Sequence, residues 1–373
     1  MSEILLPTRD VLERAARLIR AGRLVGMPTE TVYGLAGNAF DERALTRIFS
    51  VKERPVFDPL IVHVPRYPFS GVISEERLDG EARRVVALLA AAFWPGPLTL
   101  VLPKDPRVPD LATSGLDTVG VRVPAHPVAR ALLEASGVPL AAPSANRFGR
   151  ISPTRAQHVA SELGDRIPLI LDGGRSPVGV ESTIVAVGAG GGLVLLRPGG
   201  IPREALVQVS GAEVRVVPGA GETEPGVVTP MAPGMLESHY APRKTLVLLP
   251  APLDGLPDEV LGRILAGAGG GGGAEPPGEG PALLLQFGGP DALERAAARV
   301  GAREVRSLSE GDDPGEAARH LFEVLREMDA SDQSTWILAE PAHGDTGLRH
   351  AINDRLGRAS ASRAGERRES GSG

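Results

Sequence analysis

Met27-Pro28-Thr29-Glu30-Thr31-Val32-Tyr33-Gly34, then Lys52-Glu53-Arg54-Pro55 and Leu60-Ile61-Val62-His63, form the stretch that decides the fold of the N-terminal half. Leu24-Val25-Gly26-Met27 reads as a buried strand. Asp41 can cap a helix carrying Leu45, Ile48 and Phe49, which ends near Arg54-Pro55 because a residue before proline avoids helical backbone. Leu60 to His63 is then a second short apolar strand, making residues 27–63 a strand-loop-helix-loop-strand unit. Lysine occurs only at 52, 104 and 244 in a chain that otherwise uses arginine. Lys52 two residues from Arg54 therefore points first to an anionic ligand.

The same alternation extends outward. Val11, Leu12, Ala15, Leu18 and Ile19 make an amphipathic stripe that stops at Gly22, and apolar runs recur at 98–102, 119–123, 140–142, 169–171, 183–187 and 193–196. This is the pattern of an α/β domain with a sheet of about seven strands. Residues 1–210 form the first domain. Residues 211–243 turn Gly-, Pro- and Glu-rich and read as a linker. A small α/β domain over 244–358 follows, with strands expected at 245–249, 282–285 and 336–339 and helices near 291–300 and 314–328. Residues 359–373 read as a disordered polar tail.

Composition narrows the function. A length of 373 residues with 42% hydrophobic content suits two folded domains. No apolar run is long enough to span a bilayer and Met1-Ser2-Glu3-Ile4 lacks a basic flank, so no membrane association and a cytoplasmic location are expected. Zero cysteines exclude disulfides, thiolate catalysis and Cys-ligated metal, and a net charge of −6 argues against a protein that coats nucleic acid. The chain has no phosphate loop of the Gly-x-x-x-x-Gly-Lys-Ser/Thr type, no Gly-x-Ser-x-Gly elbow and no His-Glu-x-x-His helix. The glycine run at 267–273 has no preceding strand and reads as a loop.

What remains is a set of polar residues at strand ends, where α/β sheets place ligands. It comprises Thr29, Glu30, Thr31 and Tyr33; Lys52, Arg54, Asp58 and His63; Thr118 and Arg122; Ser144 and Asn146; Glu181, Ser182 and Thr183; and Arg197. Lysine and arginine with several hydroxyls suit a nucleoside triphosphate beside a small carboxylate. Taken singly, each also fits a structural role: Lys52 and Arg54 a solvated helix end, His63 a hydrogen-bonded core histidine, Ser144 and Asn146 turn residues, Glu181 a backbone cap, Arg197-Pro198-Gly199 a strand exit.

In combination they are more specific. Pro28 to Leu35, Lys52-x-Arg54-Pro55, Pro59 to His63, Trp94-Pro95-Gly96-Pro97-Leu98-Thr99, Val121-Arg122-Val123-Pro124, Ala142-Pro143-Ser144-Ala145-Asn146, Glu181 to Val185 and Arg197-Pro198-Gly199 come in an order that resembles the YrdC-like family. Ala232-Pro233-Gly234-Met235 and His239-Tyr240-Ala241-Pro242 further resemble its two-domain members, the threonylcarbamoyl-AMP synthases. The resemblance implies a twisted, mostly-β YrdC-like sheet with flanking helices, plus a small Rossmann-like C-terminal α/β domain. It implies an ATP-dependent nucleotidyltransferase that joins L-threonine and bicarbonate or CO₂ to AMP, releasing pyrophosphate. Mg²⁺ accompanies ATP, and the product feeds a threonylcarbamoyl-transferase machinery acting on tRNA.

By that resemblance Thr31, His63, Arg122, Ala142 and Ser182 would hold threonine. Lys52, Arg54, Asp58, Thr118, Ser144, Asn146, Ser152 and Arg197 would hold ATP, with Lys52 and Arg54 assisting catalysis. Pro233, Gly234, His239 and Tyr240 would belong to a lid over the nucleotide cleft. An ionised Asp58 would repel phosphate unless magnesium lay between them. Two other readings compete: a non-catalytic module binding double-stranded RNA, weak RNA binding being compatible with a cationic concavity, and a carbamoyl-phosphate-using enzyme like the hydrogenase-maturation proteins that carry a similar domain.

Overall fold

A computed structural model describes residues 2–68, 71–216, 239–268, 280–344 and 346–361. The chain divides into two units, 1–148 with 152–236, and 149–151 with 237–373.

The first unit is built on one mixed sheet. In spatial order its eleven strands are Glu3–Leu5, Leu169–Leu171, Val25–Met27, Gly34–Asn38, Leu140–Ala141, Ile61–His63, Thr118–Arg122, Leu98–Pro103, Thr183–Val187, Leu193–Arg197 and Val214–Val216. The sequence leads one to expect about seven. Gly34–Asn38 is missed because Gly-Leu-Ala-Gly-Asn has no β-branched residue, and the short strands 3–5 and 214–216 because three residues show no periodicity. Since Val214–Val216 pairs with Leu193–Leu195, the sheet also runs past the boundary expected at 210.

Side chains alternate across this sheet, and its two faces are covered differently. Leu35, Val62, Leu100, Val121, Val185 and Leu195 point to one face, where helices Glu42–Lys52, Gly80–Phe93 and Ala156–Leu163 complete the main core. On the other face, helices Arg9–Arg20 and Pro127–Ser136 pack over Val25, Met27, Ala36, Leu140, Leu169 and Leu171. Toward the remaining strands that second face carries a separate small cluster, Ile61, Val101, Ile184, Ala186 and Leu196, drawn from strands alone. Asp41 and Asp79 cap their helices by accepting from Arg43 N and Ala82 N, satisfying donors that a helix start leaves open.

The second unit has a fully parallel four-stranded sheet in the order Thr245–Leu248, Trp336–Ala339, Ala282–Phe287, Glu304–Ser309. Helices Asp258–Ala268, Pro290–Val300, Pro314–Ala330 and Leu348–Ala361 connect and flank it, the Rossmann-like arrangement the resemblance implies. The last helix continues three residues beyond 358, where a disordered tail was expected to have begun. Among the described residues no helix is long and apolar enough to cross a membrane.

Candidate active site

The strand-only half of the second face carries a row of polar side chains across five neighbouring strands. His63 ends one strand and pairs in register with Arg122 at the end of the next. Thr99 lies on the third, Ser182 immediately precedes the fourth, and Arg197 closes the fifth. All five are almost fully buried. Gly120, two residues before Arg122, leaves the floor of the row low, with Thr99 Cγ2 only 3.3 Å from where a Cβ would stand.

Hydrogen bonds join part of the row and anchor the rest of it to neighbouring loops. Thr99 Oγ1 and Ser182 Oγ are 2.8 Å apart, and Arg197 donates through Nη2 to Ser182 Oγ at 3.2 Å and Ser182 O at 3.0 Å. Arg122 donates through Nη1 to Thr31 Oγ1 at 2.8 Å and through Nε to Gly96 O at 3.2 Å. Glu30 Oε1 sits 2.6 Å from Arg122 Nη2 in a buried ion pair. Burial pushes the Glu30 carboxyl up, but the charge and hydrogen bonding of Arg122 outweigh it, so Glu30 stays below the usual carboxylate range. His63 is held neutral: burial, aided by the Arg122 charge, brings its imidazole down to about 3, and Nδ1 has no hydrogen-bond partner. A neutral imidazole has one acceptor and one donor nitrogen.

A second cluster precedes strand Ile61–His63. Arg54 is wrapped by its own loop: Nε donates to Asp58 O at 3.2 Å, Nη2 donates to Pro59 O at 2.8 Å, and Nη2 lies 2.8 Å from Asp58 Oδ2. Burial raises the Asp58 carboxyl, outweighing the opposing pull of Arg54, Lys52 and Arg197. Lys52 has a task its charge did not suggest. It is buried, and Nζ donates to Ser144 O at 2.5 Å and Asn146 O at 2.6 Å, bracing the Ser144-Ala145-Asn146 loop. Burial, with Arg54 adding to it, pulls the Lys52 amine well below its ordinary value.

The other expected residues fall around these clusters. Asn146 is fully buried with Nδ2 donating to Arg147 O. Ser152 Oγ donates to Glu181 Oε1 at 2.5 Å. Ala142 donates its N–H to Ile61 O at 3.1 Å, on the strand that His63 ends. Thr118 starts the strand that Arg122 ends, so the two lie about 13 Å apart along it. Pro233 and Gly234 lie outside the described residues. His239 and Tyr240 are buried within the second unit, where the Tyr240 ring stacks on Phe322 at 5.6 Å and lies 5.1 Å from the Arg355 guanidinium. The sequence set Glu30 and Glu181 among the candidate polar residues, with a backbone cap as the alternative for Glu181, and singled out no role for Thr99; in the structure Glu30, Glu181 and Thr99 hold Arg122, Ser152 and Ser182 respectively. Their only sequence signal is membership of the same motifs.

Fold and site together define a two-unit α/β enzyme of the YrdC-like class. A family model described as Telomere recombination, named for Sua5, YciO and YrdC, matches residues 17–199, and one described as Threonylcarbamoyl-AMP synthase, C-terminal domain, matches residues 201–361. The chain is 41% identical to a threonylcarbamoyl-AMP synthase of Pyrococcus abyssi over 96% of its own length and 98% of that protein's. It is 38% identical to that of Bacillus subtilis, over 96% of this chain and 95% of that one. The crystal structure of P. abyssi Sua5 complexed with L-threonine superposes with a TM-score of 0.79 at 39% identity, covering 97% of this chain and 98% of that chain. The chain belongs to the threonylcarbamoyl-AMP synthase family.

Proposed function

We infer that this protein makes L-threonylcarbamoyl-AMP from L-threonine, bicarbonate or CO₂, and ATP, with release of pyrophosphate. The observation that carries this reading is the polar row itself: a buried guanidinium, Arg122, and on neighbouring strands of the same face the hydrogen-bonded group Thr99, Ser182 and a second buried guanidinium, Arg197. It supports an amino acid and a polyphosphate bound side by side.

Threonine enters with its carboxylate on Arg122, and its hydroxyl is read by Ser182 or the neutral His63. Ala142 contributes backbone atoms and Thr31 fixes the Arg122 fork. ATP enters with its magnesium as substrate, its phosphates facing Arg54 and Arg197, with Thr118, Ser144 and Ser152 as further contacts. Lys52 and Asn146 act on this site by shaping the 144–146 loop. The threonine amine adds to CO₂ to give a carbamate and a proton. A carbamate oxygen then attacks the α-phosphorus in line, forming the new P–O bond as the bond to pyrophosphate breaks. Neither step requires a protein nucleophile. The protein's part is to align carbamate with phosphorus, neutralise the leaving charge and keep water from a labile anhydride. The adenylate then supplies the threonylcarbamoyl group for transfer to an adenosine of tRNA by a downstream transferase. The relatives lend no support to the RNA-binding module.

The test is incubation with ATP, bicarbonate and single amino acids, following pyrophosphate. Release should depend on threonine, fall sharply with alanine or 2-aminobutyrate, and persist most with serine, because a site built to bond a hydroxyl rejects analogues lacking it. Equal release with 2-aminobutyrate would refute the hydroxyl contact, and release without any amino acid would refute the reaction.

A further inference from the structure

We propose that Asp58 is the counter-ion that positions Arg54 for the triphosphate, and that ATP binding draws a proton from solvent onto it. The inference rests on the reading that Arg54 receives phosphate. Its basis is the way loop 54–59 folds on itself. The Arg54 guanidinium is fixed at three points, by Asp58 O, Pro59 O and Asp58 Oδ2, all within 3.2 Å and all buried. Among the described residues the charges that act most on the Asp58 carboxyl are basic: Arg54 from the same loop, then Lys52 from the end of helix Glu42–Lys52, whose own amine is lowered by burial and which also has Glu162 nearby, and Arg197 from the end of strand Leu193–Arg197.

Without phosphate, one carboxylate offsets this group, and removing it would leave Arg54 buried without its counter-ion, a costly state. A triphosphate reverses the balance. It brings several negative charges to the same cations, and Asp58 then stands beside a like-charged neighbour that disfavours its ionised form. Taking a proton turns an oxygen that repels phosphate into a donor able to bond it, while Asp58 O and Pro59 O keep Arg54 in place. Burial has already moved this carboxyl toward the neutral form. The Glu30–Arg122 pair is an internal contrast: it has the same acid-on-arginine design, but Glu30 is held below the usual range, so no proton uptake is assigned to it.

The experiment is calorimetric titration of the full chain with magnesium and a non-hydrolysable ATP analogue, without threonine, in buffers of different ionisation enthalpy from pH 6 to 8.5. The wild type should take up close to one proton more than Asp58→Asn on binding. Its affinity should weaken several-fold relative to that variant as pH rises. Asp58→Ser, which also cannot take the proton, should follow Asp58→Asn. Equal proton numbers in wild type and both variants, or a pH-independent affinity ratio, would overturn the proposal. So would a loss of magnesium dependence in Asp58→Asn, which would make Asp58 a metal ligand. Arg54→Ala separates this from the underlying reading: if it binds the analogue as the wild type does, the phosphate assignment itself fails.

Discussion

His63 shows how a single side chain is set by its surroundings. Strand pairing places it against Arg122, burial strips its water, and the imidazole titrates near 3 instead of 6.5. The folded state therefore binds fewer protons than the unfolded chain across that interval. Stability from this group is complete above pH 6.5 and is lost as pH falls through 6.5 toward 3, at up to about 1.4 kcal/mol per pH unit. From pH 7 to 5 the wild type should lose about 2 kcal/mol more stability than His63→Gln, measured by urea denaturation. Parallel curves for the two proteins would show that His63 is not held neutral. The sequence showed His63 at a strand end but left open whether it was structural, because its environment comes from residues distant in the chain. Lys52 was harder still: a lone lysine beside Arg54 reads as a phosphate contact, and only the packing of 144–146 against helix Glu42–Lys52 reveals the carbonyls it holds. Arg122, Ser182 and Glu30 were legible as candidates, but that Glu30 holds Arg122 and Thr99 holds Ser182 was not, since those contacts join residues distant in the chain.

At the scale of elements, the site depends on the crossing of two backbone segments. Arg197-Pro198-Gly199 passes so close to Glu181-Ser182-Thr183 that a Cβ on Gly199 would stand 2.3 Å from Glu181 O and 2.5 Å from Thr183 N. This approach lets Arg197 reach Ser182 O and Oγ. Gly199→Ala should cost about 1–3 kcal/mol through backbone displacement and, on the proposed reading that places the two substrates on either side of Ser182, raise KM for both threonine and ATP. Wild-type stability and kinetics in that variant would show that the crossing is dispensable. Alternating apolar runs made most of the long strands legible. The missed ones were short or glycine-rich, and in strand 34–38 glycine allows close packing: a Cβ at Gly37 would meet Leu24 Cδ2 at 2.8 Å. In the second unit, strand Glu304–Ser309, at a sheet edge, was missed because Glu-Val-Arg-Ser-Leu-Ser holds only two apolar residues, Val305 and Leu308, and they stand three apart and so do not alternate.

On the scale of the whole molecule, among the described residues the first unit has one sheet face closed by helices and half of the other with an apolar cluster drawn from strands alone, and that half collects arginines, hydroxyls and a neutral imidazole. This arrangement fits a reaction in which two small substrates and CO₂ combine with no covalent link to the protein. It predicts one product carrying atoms of all three substrates. The direct measurement is a single-turnover reaction with threonine, ¹³C-bicarbonate and [α-³²P]ATP, followed by chromatography and mass spectrometry. The account predicts one threonine-dependent species that holds both the ¹³C and the labelled phosphorus, formed in step with pyrophosphate. Labelled AMP or ADP without ¹³C, or a ¹³C product without phosphorus, would contradict it.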